Sequence, residues 1–596
     1  MSEPALEREP GLAVRDIPRA APREITRSSG YPLRVTNLTV RLPGGEPVLR
    51  DLSFPAGRQQ LIVVLGPSGA GKTTLLEAIA GLRRVAGGAV LYKGSSLHAD
   101  RARLCRLAGL VPQDAAATVH PQLTARKALD RGADLRLGRG AGRRDRRRRV
   151  EEILARLGLA HRARTRVGRL SGGERSRVGM GLALITEPAL LLLDEPTANL
   201  DPGNVLSVMR LLAGLAHVGT GRIVIVTTHS ESCLRLADRL LVLTPGGRMA
   251  YFGPPEHGLG YFGKDNWAQV CEAFAEQPER DWAGEFTGSS YYQDHVAVPM
   301  ATRYNPVSAL PSLPPPRLPG RLSQARTLIR RHLALIATDR AYLAFAVGVP
   351  VFFAAVLRMI PAPQGLAGPP AANTAIQPLL LLLAFASALA GSLPVIEEIA
   401  SERGIYARER AAGLSATAYL SSKLLVLAPV AALQAVAMTT AAMWGRALPP
   451  HGVLLTSALA ELDAALAALA VVSCALGLLL STAIPSDRAR FLILMAVISG
   501  QLVLTGGVVT ISAVPGLKQL SWLFPARWGF AATASTLHFS TIMQPTSGVT
   551  PDPLWTPAPH VWETDMLTLG ALGATIALLT WILLITLGPG RGRVAR

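Results

Sequence analysis

Cysteine is scarce in this chain. There are four in 596 residues (Cys105, Cys233, Cys271 and Cys474), scattered and without paired spacing. That excludes a disulfide framework and a cysteine-based metal centre, and it fits a reduced cytosol or buried membrane positions. Charged residues make up only 17% and aromatics 5%, against 49% hydrophobic residues. So little charge excludes an ordinary soluble enzyme and points to membrane spans. The first thirty residues are rich in Pro, Arg and Glu and lack an apolar core segment. They are therefore not a secretory signal peptide, and residues 1–32 read as a disordered lead-in. Internal repeats are absent.

Acidic residues are also in deficit, 41 against 61 basic ones, for a formal charge of +20. A large positive charge invites a nucleic-acid partner, because clustered Lys and Arg neutralise phosphates. The distribution argues against one. Much of the excess sits in the N-terminal half and at points flanking apolar segments, where basic residues hold loops on the cytoplasmic side. The densest run, Arg143 to Arg149, reads most simply as a solvated helix face or loop, ahead of a site for a specific anionic partner.

Residues 33–254 alternate short β-like runs (Leu61 to Leu65, Leu190 to Leu193, Ile223 to Val226) with helical stretches, as a parallel α/β domain requires. Residues 255–320 hold several aromatics and then a proline-dense stretch, Leu310 to Pro319, and are read as a linker. A basic amphipathic helix over 321–340 leads into a transmembrane domain, 341–596. Six spans are expected there, near 341–360, 375–396, 418–444, 460–484, 489–511 and 565–587. Each has about the twenty residues needed to cross roughly 30 Å of hydrocarbon. Arg403, Arg408 and Arg410 follow the second span, Arg488 and Arg490 the fourth, and Arg591, Arg593 and Arg596 the sixth. All three places are cytoplasmic if the first span enters from the cytosol. Arg358, Arg446, Lys518 and Arg527 run against that pattern. Gln434 and Gln501 within spans either line a pathway or bond between packed helices, and Glu461 and Asp463 at the outer end of the fourth span read mainly as an interfacial boundary, with a role in transport or coupling as the alternative.

The chemistry lies in the first half. Gly66-Pro67-Ser68-Gly69-Ala70-Gly71-Lys72-Thr73, followed by Thr74, fits the phosphate-loop pattern. The glycines let the backbone wrap round phosphates, Lys72 reaches the β- and γ-phosphates, and Thr73 is placed to ligate magnesium. The apolar run ending in Asp194-Glu195 supplies a second acidic end. Asp194 is assigned to magnesium and Glu195 to the general base that polarises the attacking water.

Between these lies Leu170-Ser171-Gly172-Gly173-Glu174, which resembles the signature of ATP-binding-cassette (ABC) ATPases. Val111-Pro112-Gln113-Asp114 resembles the family's Q-loop, Ala198-Asn199-Leu200-Asp201 its D-loop, and Thr227-Thr228-His229-Ser230 its switch region. The resemblance implies an α/β ABC ATPase domain of the P-loop NTPase type followed by an all-α six-span transmembrane domain. It implies that Gln113 approaches magnesium and water, that His229 contacts the γ-phosphate, and that Asp201 adjoins the nucleotide. It further implies that Ser171, Gly172 and Gly173 cap ATP held by a second cassette, with the helix after them directing its positive end there. The stretch Leu38 to Pro43, where such domains usually carry an adenine-stacking aromatic, has none, and the nearest candidates are Tyr31 and Phe54.

The order of ATPase before membrane domain resembles subfamily G of the ABC transporters, the White-like half-transporters with an ABC-2-type membrane domain, in their bacterial branch. Gly247 to Pro254 resembles the exit from the ATPase domain, Glu402 to Gly413 the coupling loop, and Leu504-Thr505-Gly506-Gly507 and Pro525 to Phe530 the fifth span and the outer segment after it. The resemblance implies ATP-driven export of a lipid-like or amphipathic compound across the plasma membrane, with ATP and Mg2+ as cofactors and an identical second chain as partner. It implies contact with membrane lipids and no nucleic-acid partner. The alternative from another class is a membrane-anchored ABC ATPase that acts mechanically on a partner and transports nothing.

Overall fold

The computed structural model describes residues 30–42, 45–137, 142–198, 202–217, 221–302, 319–362, 366, 376–508, 511, 515–542 and 552–586. The lead-in through residue 29, the D-loop residues Asn199 to Asp201, nearly all of the proline-dense stretch and the C-terminal arginines lie outside them.

Two sheets build the first half. An antiparallel sheet in the order β2-β1-β4-β5 comprises β1 (Leu33–Arg41), β2 (Pro47–Ala56), β4 (Gly87–Tyr92) and β5 (Ser95–Ser96). The second has the order β10-β9-β3-β8-β7-β6 and comprises β3 (Gln60–Leu65), β6 (Ala108–Val111), β7 (Leu190–Leu193), β8 (Ile223–Thr227), β9 (Arg239–Leu243) and β10 (Met249–Gly253). Its strands run parallel from β9 through β6, and only β10 is antiparallel. Leu190 to Leu193 and Ile223 to Thr227 are buried throughout. Unbroken apolar runs, rather than alternating ones, are what a sheet covered on both faces requires. Four helices matter for the site: α1 (Lys72–Ile79), α2 (Ala125–Arg136), α3 (Arg143–Arg156) and α4 (Gly172–Leu184).

Residues 255–301, expected to belong to a linker, are folded. They form a run of short helices from Pro255 to Ala301 that closes on the core of the first half. The cause is aromatic packing. Tyr251 of β10 has ring neighbours Tyr261, Phe262, Phe286 and Tyr291 at 5.4 to 6.2 Å, and Phe274 meets Trp282 at 5.2 Å edge-on. Buried aromatics at these spacings carry large apolar burial together with favourable ring geometry.

The second half is helical: α5 (Arg321–Ile336), α6 (Arg340–Met359), α7 (Ile376–Ser392), α8 (Arg403–Ala411), α9 (Ala416–Met443), α10 (Ala458–Ala483), α11 (Asp487–Val503), α12 (Pro525–Thr536) and α13 (Pro559–Thr586). Among the described residues five helices are long and apolar enough to span a membrane, beginning at Arg340, Ile376, Ala416, Ala458 and Pro559. The expected span near 489–511 corresponds to α11, which has 17 residues. At 1.5 Å per residue it reaches about 25 Å, and it ends at Val503, three residues before the positive-φ Gly506.

The arginines that break the charge pattern are tied to backbone. Arg358 donates to the Trp444 carbonyl at 2.7 Å, Arg446 to the Leu357 carbonyl at 2.7 Å, and Arg527 to the Thr505 carbonyl at 2.8 Å and to Asp552. Glu461, read from sequence as a boundary marker, is fully buried. Its carboxylate accepts from the Val453, Leu454 and Leu455 N–H groups and from Thr536 Oγ1, fixing the loop before α10. Gln434 donates to the Ala346 carbonyl at 2.9 Å, a bond between α9 and α6.

Candidate nucleotide site and its link to the membrane domain

Strand order assembles the site. The phosphate loop leaves the C-terminal end of β3, His229 follows β8, Asp194 and Glu195 follow β7, and Gln113 follows β6. Because β3, β8, β7 and β6 are consecutive neighbours, four segments far apart in sequence meet along one edge of the sheet. Ligands of open α/β sheets bind at that carboxyl edge.

The phosphate loop is shaped by its glycines. Gly71 has φ 87°, and a Cβ there would stand 2.6 Å from the Leu49 side chain. Gly69 has φ 81° with open space above it. Lys72 is buried, and its Nζ donates to the carbonyls of Gly66 at 2.8 Å and Pro67 at 3.1 Å. Burial lowers its pKa, opposed by the carboxylates of Glu195 and Asp194. No side chain caps α1 at Gly71. Its first N–H groups are thus free for an anion, as a helix N-terminus favours. Ser68, Ala70, Thr73 and Thr74 lie within this turn and the first turn of α1.

The acidic end is ordered by a threonine that the sequence reading left without a role of its own. Thr227 Oγ1 donates to Asp194 Oδ1 at 2.7 Å and accepts from the Glu195 N–H at 2.8 Å. Glu195 is held at φ 44°, in the left-handed region. Its carboxylate takes Gln113 Nε2 on one oxygen at 3.1 Å and His229 Nε2 on the other at 2.7 Å. Of the three residues expected to handle the attacking water, Gln113 and His229 therefore both bond the third, Glu195. Among the described residues no cluster of three His, Cys, Asp or Glu could hold a metal. A magnesium ion here would need phosphate oxygens beside Thr73 and Asp194, the usual arrangement for that ion.

The signature segment forms the N-terminus of α4. Ser171 Oγ accepts from the Glu174 N–H at 3.2 Å, and Glu174 Oε2 accepts from the Ser171 N–H at 2.9 Å, a reciprocal capping box. Ser171 and Gly172 are exposed, and nothing lies within 4 Å of a Cβ built on Gly172. Asp201 lies outside the described residues. Of the two aromatics considered for adenine, Phe54 is fully buried and packs on Phe252 at 5.6 Å, so it is removed as a candidate.

The ATPase domain meets the membrane domain through α8 and α5. Arg408 donates to Thr118 Oγ1 at 2.9 Å, and Cys105 Sγ donates to the Ala411 carbonyl at 2.9 Å. Arg331 of α5 pairs with Glu409 of α8, both buried. Burial works against the Glu409 charge, but Arg331 outweighs it and holds the carboxyl below the usual carboxylate range. His120, seven residues after Gln113, lies 3.7 Å from Glu402, which also bonds Lys423 at 2.8 Å and the Tyr419 hydroxyl at 2.8 Å. Burial first, then Arg331, pushes the His120 pKa down to about 4 despite Glu402, so its ring is neutral. None of these pairings carries a sequence motif; the partners lie up to 306 residues apart.

Comparison with known proteins places two families along the chain. The ABC transporter family matches residues 49–198, and the ABC-2 type transporter family matches residues 323–538. An ABC transporter ATP-binding/permease protein of Mycobacterium tuberculosis is 35% identical over 562 residues, covering 93% of this chain and 63% of that protein. The chain thus spans somewhat less than two thirds of that relative. ABC transporter G family member 22 of Dictyostelium discoideum is 37% identical over 227 residues, 35% of this chain and 36% of that protein. A solved structure of cbiO1 from Clostridium perfringens aligns with 26% identity and a TM-score of 0.36, over 42% of this chain and 97% of that one.

Proposed function

An ABC-transporter ATPase domain and an ABC-2 type membrane domain lie in this one multi-pass chain, and on that premise we propose that it is a half-transporter that hydrolyses ATP in a dimer to export a lipid-like or amphipathic compound. The observation that carries the reading is the convergence of Gln113 and His229 on the Glu195 carboxylate. That arrangement orients a base beside the phosphate loop, as in-line attack of water on a phosphoryl group needs.

The residues divide the work. The loop from Gly66 to Thr74 wraps the phosphates, Lys72 swings from its own loop carbonyls to the β- and γ-oxygens, and Glu195 receives the water proton while Gln113 and His229 fix its position. Thr73, Asp194 and Gln113 would hold magnesium, which would supply charge neutralisation to the phosphate groups. On this reading Ser171 and Gly172 meet a nucleotide held by a second, identical chain, a role supported by their exposure at the capped end of α4. With the cytoplasmic cassettes drawn together and released, α8 transmits the displacement to the spans as a rigid-body movement.

The test uses the full-length protein in lipid. ATPase activity is measured for wild type and Glu195→Gln across a panel of amphipathic compounds and lipids. Stimulation of wild type by some compounds, lost in the variant and matched by their accumulation in inverted vesicles, is the expected result. Activity that no compound alters, with no accumulation, overturns export. Activity equal in the variant overturns Glu195 as the base.

A further inference from the structure

The arginine run that the nucleotide chemistry leaves unused lines a cavity. Between the ATPase domain and α5 lies a cleft of about 820 Å³ whose walls carry eight arginines and two aspartates. One wall is α2, α3 and the loop after α3; the other is the face of α5 that carries Ser323, Arg326, Thr327 and Arg330. Some of the arginines are neutralised within the protein: Arg146 pairs with Asp134 at 3.0 Å, and Arg126 and Arg147 share Glu151. Arg143, Arg164, Arg326 and Arg330 have no acidic partner within 4 Å among the described residues. Four exposed guanidinium groups without a carboxylate partner, contributed by both halves of the chain, line one half-open cleft. Their mutual repulsion calls for a counter-anion, and forked guanidinium groups bind phosphate oxygens two at a time.

The same helix says where the anion comes from. Leu322 and Leu333 of α5 are 84% and 51% exposed. At 100° per residue, Arg326 lies about 40° round the helix from Leu322 and about 20° from Leu333. The cationic mouth and an apolar, uncovered stripe therefore share an edge of one helix, and that helix leads into the first span at Arg340. A soluble anion would make no use of the leucines. A phospholipid would, with its acyl chains along the stripe and its phosphate in the cleft.

We propose that this cleft is a binding site for the headgroup of an anionic phospholipid of the cytoplasmic leaflet, held by Arg326 and Arg330 from the membrane side and by Arg143 and Arg164 from the ATPase side. Bound there, the lipid ties α5 to α2 and α3. Occupancy of the cleft then sets how firmly the cassette is docked on its membrane domain. The proposal does not depend on the identity of the exported compound or on the hydrolytic site.

The experiment measures lipid retention on the purified full-length protein by native mass spectrometry after incubation with phosphatidylglycerol or with phosphatidylcholine. Wild type is expected to retain phosphatidylglycerol in preference. In Arg326→Gln/Arg330→Gln the preference falls, by roughly thirtyfold if each arginine contributes as one near a charged membrane surface does. Arg144→Gln/Arg148→Gln, which removes the same charge from residues that do not line the cleft, is expected to leave it unchanged. Arg326→Lys/Arg330→Lys and Arg164→Gln give retained and intermediate binding, and they carry the test if the first pair fails to fold. Equal loss in both glutamine pairs overturns the site in favour of general surface charge. Competition by inorganic pyrophosphate without any preference for phosphatidylglycerol overturns the lipid in favour of a soluble polyanion.

Discussion

Glu195 owes its position to a backbone conformation that its own side chain disfavours. A non-glycine residue in the left-handed region costs of order 1 kcal/mol or more, and here the compensation is the bond from its N–H to Thr227 Oγ1 at 2.8 Å. The same hydroxyl donates to Asp194 at 2.7 Å, so one threonine orients both acidic residues. Thr227→Val removes both bonds while keeping the side-chain shape. The kcat for ATP should fall about ten- to a hundredfold, the cost of unpairing buried polar groups, with KM for ATP little changed. Thr227→Ser should restore most of the rate, whereas a role in packing alone would make serine the worse substitute. The signal that could have singled out Thr227 was its place directly before Thr228 and His229 on a buried strand. The phosphate loop, Asp194 and Glu195 were legible because phosphate chemistry constrains a few consecutive residues. Thr227 was not, because its role is set by β7 and β8 lying side by side.

Elements that meet across the chain were the least legible. The helices between Pro255 and Ala301 look like a linker when their aromatics are read as a string, because nothing local says that Trp282 and Phe274 converge with Tyr251. The apolar segments, by contrast, declare themselves by length, and of those expected to cross, α11, at 17 residues, is the one outside the five helices long and apolar enough to do so among the described residues. The docking of α8 and α5 on the ATPase domain gives an element-scale prediction. His120 and His332 are both buried, and burial pushes each down to about 4 from 6.5. His120 faces Glu402, Glu409, Arg331 and Lys423, and its lowered value reflects a neutral ring in the docked state. A histidine with a depressed folded pKa binds more protons when released. Its contribution is therefore fully present above pH 6.5 and is lost as pH falls from 6.5 towards about 4. Glu402 and Glu409 are held below the ordinary carboxylate value of 4.5, so their contribution is lost at lower pH again. Lowering the pH through the histidine window should lower the thermal unfolding midpoint of wild type. In His120→Gln the loss across that window should be smaller by on the order of 3 kcal/mol. An identical pH profile in the variant would show that His120 is protonated, or exposed, in the folded protein.

At the scale of the whole molecule, the proposed hydrolytic equipment divides between an acidic centre whose members already engage one another and a signature segment left exposed. Ser171 and Gly172 are exposed at the capped N-terminus of α4, whereas Glu195, Gln113 and His229 already engage one another. If the signature serves a nucleotide on a second chain, each of two sites combines the phosphate loop of one chain with the signature of the other. Lys72→Ala disables a chain's own phosphate loop, and Ser171→Arg blocks the signature it offers its partner. Either variant alone should be inactive. When the two are co-expressed, half of the dimers formed at random are mixed. In each mixed dimer both defects fall in one site, leaving the other built from an intact loop and an intact signature. The mixture should therefore recover about a quarter of wild-type ATPase activity, the value for a two-fold dimer with independent sites. If each chain used its own signature, every site in every dimer would carry one defect and no activity would return. Recovery near a half would instead mean that a single intact site sustains the full rate of the dimer, which would tie hydrolysis at one site to release of both.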